Sequence, residues 1–200
     1  MRLTLFVWMI VLSIVAHAQG KINLMNGKIF EFDTISKAEN DRYVYVDHDS
    51  KKIYFIGNRR LFSIVYSDGK EEIIFTPDST ITDLNVPQMK DYVKGEQDCR
   101  KYYKPKLATI GGLIVGGCAG YLGVFYGPVL PAIYATIVTA SPPPDVANKP
   151  YADKTLINND YYAYGFETMG RKKKLKNAIL GGGISFAVSV STFIFLNRRH

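Results

Sequence analysis

The sequence contains few of the residues on which enzyme and metal sites depend. Its 200 residues include 2 cysteines, 1 tryptophan and 3 histidines. There is no G-x-S-x-G motif and no phosphate-binding glycine loop next to a predicted strand. A catalytic site needs a nucleophile with a base, a pair of carboxylates, or a set of metal ligands. We therefore expect a non-enzymatic protein with no catalytic residues, no cofactor, no bound metal and no small-molecule substrate.

The two cysteines are too few for a disulfide framework. Cys99 and Cys118 lie 19 positions apart in a region predicted to be helical, which is too far for a disulfide bond. We expect two free thiols that pack. The one polar cluster that resembles a metal or catalytic site is Asp47-His48-Asp49-Ser50. No second histidine or cysteine accompanies His48 in its domain, so we interpret this cluster as a turn.

Charge is absent from 34 consecutive positions, Leu107–Ala140. The first part, residues 107–126, would form a helix of about 30 Å, which matches the hydrocarbon core of a bilayer. A second uncharged stretch covers residues 177–196. Two transmembrane helices are predicted from these stretches. Residues 127–140 contain Pro128 and Pro131 and are too short to cross again, so they form either a re-entrant or interfacial segment or a kinked extension of the first helix.

Small residues recur at every fourth position in both apolar stretches, the pattern of a glycine zipper. Residues four apart share one face of a helix, and small side chains let a second helix approach closely. We predict that the two helices pack as a hairpin through these faces; the alternative is that glycine and serine are simply frequent in membrane spans. The predicted packing residues are Ala108, Gly112, Gly116, Gly120, Gly181, Ser185 and Ser189.

The net charge of +7 is concentrated beside the apolar stretches. Residues 19–78 are nearly neutral, with 9 basic and 10 acidic side chains. A basic excess placed next to apolar helices suits anionic lipid headgroups better than nucleic acid, so membrane lipid is the expected partner. For the run at 171–174, specific binding of acidic lipid or of a protein is the alternative to simple anchoring. The predicted membrane-interface residues are Lys104, Lys106, Arg171, Lys172, Lys173 and Lys174.

Residues 1–18 have the pattern of a signal peptide. Arg2 precedes an apolar run, and Ala16-His17-Ala18 predicts cleavage before Gln19. An uncleaved anchor is the alternative. Either form would export the segment that follows.

Residues 19–78 alternate β-branched or aromatic residues with polar ones, the period of half-buried strands. Asn26-Gly27 between two such runs is a strong hairpin signal. Five short strands at about ten-residue spacing predict a small SH3-like or Sm-like barrel. Together with the two predicted transmembrane helices, this barrel would make the chain an α+β membrane protein. The predicted core residues are Ile22, Leu24, Ile29, Val44, Val46, Ile53, Phe55, Leu61, Ile64 and Ile74.

The remaining segments connect these parts. Residues 79–106 are predicted to form a linker and an amphipathic helix, Val86–Tyr103, with Pro87 in its first turn. Residues 141–176 form a polar loop and the basic start of a helix capped by Asn158 or Asn159. Residues 197–200 form a basic tail.

Basic residues do not decide the orientation, because eight fall on the domain side of the two helices and seven in the loop. The export signal therefore decides. It predicts a bacterial inner-membrane protein with the β domain in the periplasm, the loop in the cytoplasm and the C-terminus outside. An outer-membrane location, and a hairpin that does not fully cross, are the alternatives.

Several segments together resemble a group of uncharacterised bacterial envelope proteins with a signal peptide, a small β domain and two glycine-rich transmembrane helices. They are the Asn26-Gly27 strand pair, Phe62–Gly69, Tyr92–Asp98, the glycine-rich stretch and the approach to the second helix at 162–174. The resemblance implies no established activity and no functional residue.

Two function classes follow from these observations. The first is a non-enzymatic, membrane-anchored envelope protein that presents a small β domain to a protein or another envelope component. The second is a small membrane subunit that forms homo-oligomers, in which glycine-packed helices build a bundle, scaffold or pore.

Overall fold

The computed structural model describes residues 20–38, 41–78, 83–142, 146 and 155–197. The predicted signal peptide and positions 198–200 of the basic tail lie outside these residues. The fold is α+β and divides into two compact units, residues 1–93 and 94–200, which we call the β unit and the helical unit. The division falls inside the first helix rather than in the predicted linker.

The β unit contains one antiparallel sheet of six strands in the order β4-β3-β2-β1-β5-β6. The sheet is open, so the predicted barrel is not confirmed, and the sixth strand exceeds the five expected. The strands are β1 Gly20–Leu24, β2 Ile29–Ala38, β3 Arg42–Asp47, β4 Ile53–Gly57, β5 Leu61–Tyr66 and β6 Glu71–Ile73.

Backbone geometry confirms the predicted turn at Asn26-Gly27 and shows a second glycine turn after β5. Gly27 has φ of 69° between β1 and β2, and Gly69 has φ of 83° between β5 and β6. Glycine adopts this left-handed region without strain. The turn at Asp47–Ser50 is also confirmed, because the Ser50 amide and hydroxyl both donate to Asp47 Oδ1, at 2.8 and 2.7 Å.

The side chains of strand β2 switch from one face of the sheet to the other at a bulge. Phe32 pairs with Asp47 and Thr34 with Val46, so Asp33 is the extra residue. Phe32 and Asp33 are consequently both buried, although strand neighbours normally face opposite ways. Before the bulge β2 pairs with β1, and after it β2 pairs with β3.

Four of the predicted core residues are buried in the sheet core: Ile22, Leu24, Leu61 and Ile64. The prediction of which alternate residues are buried is wrong on β3 and β4. Tyr43 and Tyr45 are buried there, together with Ile56, whereas the predicted core residues Val44 and Val46 are half-buried, as is Ile74 further along the chain. Ile29, Ile53 and Phe55, also predicted in the core, are exposed. Both phases of RYVYV and of IYFI are apolar, so alternation alone could not select the buried face.

Helix α1, Val86–Tyr102, confirms the predicted helix. Its start is fixed by a reciprocal pair: the Gln88 amide donates to Asn85 Oδ1 at 3.0 Å, and the Asn85 amide donates to Gln88 Oε1 at 2.9 Å. Met89 and Val93 pack with Phe62 and Phe75 in a second core of the β unit.

The helical unit follows with α2 Lys106–Ala119, a 3₁₀ turn Gly120–Leu122, α3 Gly123–Tyr126, α4 Val129–Ala140 and α5 Asp160–Asn197. Gly123, with φ of 74°, separates the 3₁₀ turn from α3. The predicted cap of α5 is Asn159, whose Oδ1 accepts from the amides of Tyr161 and Tyr162 at 3.0 and 3.2 Å.

Among the described residues, two stretches of helix are long and apolar enough to cross a membrane, Lys106–Tyr126 and Asp160–Asn197. The first includes the 3₁₀ turn and α3. The second has 38 residues, and its basic cluster at 171–176 separates an amphipathic first half from an apolar second half.

Candidate functional site

Helices α2 and α5 pack side by side and run in the same direction. Contacts advance together along both: Thr109 lies against Gly181, Leu113 against Ser185, and Gly117 against Ser189. The predicted antiparallel hairpin of the two long helices is therefore wrong. The small-residue pattern marks a close contact but is the same for either direction, so it could not reveal the error.

The predicted packing glycines lie at this contact. A Cβ built on Gly112 would lie 2.6 Å from the Ala178 carbonyl oxygen, and one on Gly116 would lie 2.1 Å from the Gly182 carbonyl oxygen. On Gly120 it would meet the Ser189 side chain, and on Gly181 the Thr109 carbonyl oxygen at 2.5 Å. Only glycine permits backbones to approach this closely.

Hydrogen bonds join the same faces. Ser185 Oγ donates to the Leu113 carbonyl oxygen at 2.6 Å, and Ser189 Oγ donates to the Gly117 carbonyl oxygen at 2.8 Å. Ala108 is buried at the start of α2. Six of the seven predicted packing residues thus lie at the α2–α5 contact, and Ala108 is the exception.

Helix α4 runs back along the pair. Gly127 lies near Phe186, Pro131 near Gly182, and the Tyr134 hydroxyl donates to the carbonyl oxygens of Leu107 and Ala108, each at 3.3 Å. Helix α4 thus brings the chain back beside the start of α2 before α5 begins. Residues 129–140 are therefore a separate antiparallel helix and not an extension of the first.

The basic residues near 104 and near 173 lie at one end of the helical unit, which we call the basic end. Lys173 Nζ donates to the carbonyl oxygens of Cys99, Arg100 and Tyr103, where α1 ends. Lys174 Nζ donates to Ser141 Oγ and the Pro142 carbonyl oxygen, where α4 ends. A cation at the C-terminus of a helix is favourable because the helix dipole is negative there.

These contacts give three of the six predicted membrane-interface residues partners within the chain. Lys172 pairs with the buried carboxylate of Glu96 at 3.1 Å, and Lys173 and Lys174 bind carbonyl groups. Lys104, Lys106 and Arg171 are exposed and have no ion-pair partner among the described residues.

A buried cluster supports the basic end. Cys99, Tyr162, Phe166 and Met169 pack together, and the Tyr162 hydroxyl donates to Asp98 Oδ2 at 2.9 Å. Burial raises the pKa of the Cys99 thiol to about 12, so this cysteine is protonated and packs as an apolar group. Tyr162, Phe166 and Met169 are more than 60 positions from Cys99, and no spacing rule in the sequence identifies them as its partners.

No protein-family model, curated protein or solved structure matches this chain. The resemblance to bacterial envelope proteins therefore stays a prediction.

Asp33, at the β2 bulge, forms side-chain contacts with His48 and Lys51 that the sequence did not indicate. Its Oδ1 lies 2.6 Å from His48 Nδ1, and its Oδ2 accepts from Lys51 Nζ at 2.8 Å. Hydrogen bonds from Lys51 and His48 lower the pKa of Asp33. Among the described residues, no group of three histidine, cysteine or acidic side chains is arranged to hold a metal ion. The three residues tie the turn after β3 to the bulge, which is a structural role.

The β unit leaves an apolar edge exposed. Strand β4 is at the edge of the sheet, and its Ile53 and Phe55 side chains are 64% and 68% exposed. They pair with Val46 and Val44 on β3, which are half-buried. Edge strands usually carry charges or proline that prevent pairing with other chains. These apolar side chains on an unpaired edge are consequently a candidate contact surface.

Proposed function

We propose that the protein is a non-enzymatic, membrane-anchored envelope protein that presents its β unit to a protein or another envelope component. The observation that carries the membrane part is the outer surface of the helical unit. Small residues face inward there, while large apolar residues face outward along both long helices. The exposed residues include Leu107, Ile110, Ile114, Phe125, Ile179, Ile184, Val188 and Phe195.

An aqueous solvent does not favour such a surface. Soluble monomers rarely expose contiguous apolar patches larger than a few hundred Å², whereas lipid-facing helices are apolar outside and use small residues for packing. Hydrogen bonds of Ser185 and Ser189 to backbone carbonyls leave few polar groups to face lipid. These features support insertion of the helical unit into a bilayer.

The parallel arrangement changes the expected topology. If α2 with α3 crosses the membrane, α4 returns to the starting side and α5 crosses again. The loop between α4 and α5 then lies on the same side as the end of α1, and the C-terminus lies on the opposite side. The returning helix α4 has 12 residues and about 18 Å of helix, which is shorter than the hydrocarbon core of about 30 Å.

The predicted export signal places the β unit and the basic end outside the cytoplasm. The positive-inside rule favours the opposite side for a basic end. Lys172, Lys173 and Lys174 are already paired within the chain, however, which weakens their effect as topology signals. We therefore propose that the basic end is exported and that the tail with Arg198 and Arg199 is cytoplasmic.

Alkaline carbonate extraction of membranes from cells that express the full chain tests the anchor. We expect the protein to remain in the membrane pellet, because apolar helices hold it there without surface charge interactions. Recovery in the supernatant would show a peripheral protein and would contradict the proposal.

Site-specific photo-crosslinking tests the presentation of the β unit. A photoreactive amino acid at Phe55 on the exposed edge should give one discrete adduct with another envelope component. The matched position is Lys28, in the β1–β2 turn, and we expect no such adduct there. Equal adduct patterns at both positions would contradict a binding role for the edge.

A second candidate function is a homo-oligomeric membrane subunit, and one observation favours it. The glycine face of α2 is occupied by α5 of the same chain, but another small stripe on α5, Gly183, Ala187 and Ser191, is exposed. Gly183→Leu should then reduce the oligomer size in mild detergent without unfolding the chain. A wild-type protein that is monomeric in that detergent would remove this candidate.

A further inference from the structure

A cavity of about 490 Å³ opens at the basic end, between the start of α2 and the end of α4. Its polar wall is formed by Lys104, Lys106 and Lys174, and its apolar wall includes Leu107, Tyr134 and Val138. Among the described residues, no aspartate or glutamate lines it. Its size falls within the range of small-molecule sites, and its charge is positive.

The three lysines keep donors for a ligand. Lys104 and Lys106 are exposed and form no ion pair with the described residues. An ammonium group has three N–H donors. Lys174 uses two of them on Ser141 Oγ and the Pro142 carbonyl oxygen. These bonds hold its charge at the cavity, and among the described residues the third N–H donor of Lys174 has no partner.

The start of α2 adds backbone donors. The first N–H groups of a helix have no partner within it, and the helix dipole is positive at that end. No side chain caps α2, whose preceding residue is Pro105. Leu107 and Ala108, in its first turn, line the cavity. Helix N-termini of this kind bind phosphate groups.

The apolar wall continues onto the outer surface of the helical unit. Leu107 is 84% exposed, and Ile110 and Ile114 follow it along α2. A molecule with a charged group among the lysines could therefore extend an apolar chain along this helix. A phospholipid has both parts, whereas a free phosphate ion has only the first.

We propose that this cavity binds the phosphate headgroup of an anionic phospholipid, with the acyl chains along α2. The inference rests on the proposed membrane function, because the cavity then lies at headgroup depth. Phosphatidylglycerol should bind better than phosphatidylcholine, since its headgroup carries no cation that the lysines would repel.

Lipid binding to the full chain in neutral detergent, followed by native mass spectrometry, tests the proposal. The probes are phosphatidylglycerol, phosphatidylcholine and inorganic phosphate as a competitor. Lys104→Gln with Lys106→Gln should weaken phosphatidylglycerol binding about tenfold or more. The control, Lys101→Gln with Lys176→Gln, removes the same charge from exposed positions that do not line the cavity, and should change binding less than about threefold.

Each other outcome overturns the proposal. Equal loss in the two double variants would mean non-specific attraction, and equal binding of the two lipids would mean no headgroup recognition. Displacement of the lipid by millimolar inorganic phosphate would assign the cavity to a free phosphate. Carbonate extraction of the same variants separates the two claims: a protein that stays in the membrane without lipid preference disproves the cavity assignment alone.

Discussion

At the scale of single residues, Lys173 joins α5 to the end of α1, because its ammonium group donates hydrogen bonds to three carbonyl oxygens. Its ammonium group binds the end of α1, next to the buried Cys99. The last carbonyls of a helix have no intrahelical partners, and a cation satisfies them while interacting favourably with the helix dipole. We therefore assign Lys173 a positioning role at the basic end rather than contact with lipid.

Lys173→Met should lower the free energy of unfolding by about 1–3 kcal/mol, because the carbonyl groups lose a charged donor. Lys176→Gln is the control, since Lys176 is exposed, and its effect should stay within about 0.5 kcal/mol. Unfolding of the full chain in mixed micelles, followed by circular dichroism, measures both. Equal stability of the two variants would contradict the role of Lys173.

Asp33 should make the β unit sensitive to acid. Its pKa in the folded chain lies below the ordinary value of 3.8, because Lys51 and His48 bind the carboxylate. The resulting stability is complete above that ordinary value and is lost as the pH falls through the lower folded pKa. Asp33→Asn should thus reduce stability at pH 7 and flatten the loss of stability between about pH 5 and 2.

Thermal unfolding across this pH range tests the Asp33 prediction. Asp49→Asn changes an exposed carboxylate of the neighbouring turn and serves as the control. If the Asp33 variant keeps the acid sensitivity of the wild type, the pairing with Lys51 and His48 does not contribute to stability.

The sequence indicated some of these side chains but not their partners. The turn at Asp47–Ser50 followed from local residue preferences, and it is present. Asp33 and His48, by contrast, are 15 positions apart and meet only because a bulge turns Asp33 inward. Lys173 was predicted to lie at a membrane surface, but it binds the end of α1. A run of basic residues does not specify whether their side chains bind lipid or the carbonyl groups at a helix end.

At the scale of secondary-structure elements, the contact between α2 and α5 organises the helical unit. Backbone atoms of the two helices approach so closely that Gly112 and Gly116 have no room for a Cβ. In the proposed membrane setting, dispersion contacts and the two serine hydrogen bonds would replace the hydrophobic effect, which lipid does not supply between helices. The contact therefore depends on the absence of side chains at these positions.

Gly116→Ala should destabilise the helical unit by about 1–3 kcal/mol, because its Cβ would lie 2.1 Å from the Gly182 carbonyl oxygen and the helices must separate. Gly183→Ala is the matched control. A Cβ built on Gly183 would have none of the described atoms of neighbouring elements within 4 Å, so this variant should be neutral or stabilising by up to about 1 kcal/mol. Denaturation in mixed micelles compares them. A Gly116 variant as stable as the Gly183 variant would contradict the close contact.

The spacing of small residues predicted which faces meet but not the direction of the helices. Gly112 and Gly181 share the same four-residue repeat in a parallel and an antiparallel pair. The direction depends on α4, which returns the chain across the unit, and a 12-residue apolar segment does not by itself predict a separate returning helix. On β3 and β4, likewise, the strands were predicted but the buried face was not, because both faces are apolar.

At the scale of the whole molecule, we propose that the β unit is exported and that the helical unit inserts into the membrane from its basic end. If both helices insert, the parallel α2–α5 pair requires an odd number of passes between the end of α1 and the C-terminus, whereas a hairpin requires an even number. The number of passes therefore decides which side of the membrane holds the loop and the tail.

The most direct test of this account is the accessibility of single cysteines to a membrane-impermeant maleimide in intact cells and in inverted vesicles. The cysteines replace Lys101, Asn158 and Asn197, all exposed, in a chain with Cys99→Ala and Cys118→Ala. The account predicts labelling of positions 101 and 158 from one side and of position 197 from the other. Labelling of positions 101 and 158 from opposite sides would contradict the parallel pair and restore the hairpin, and labelling of all three from one side would show that the helices do not cross.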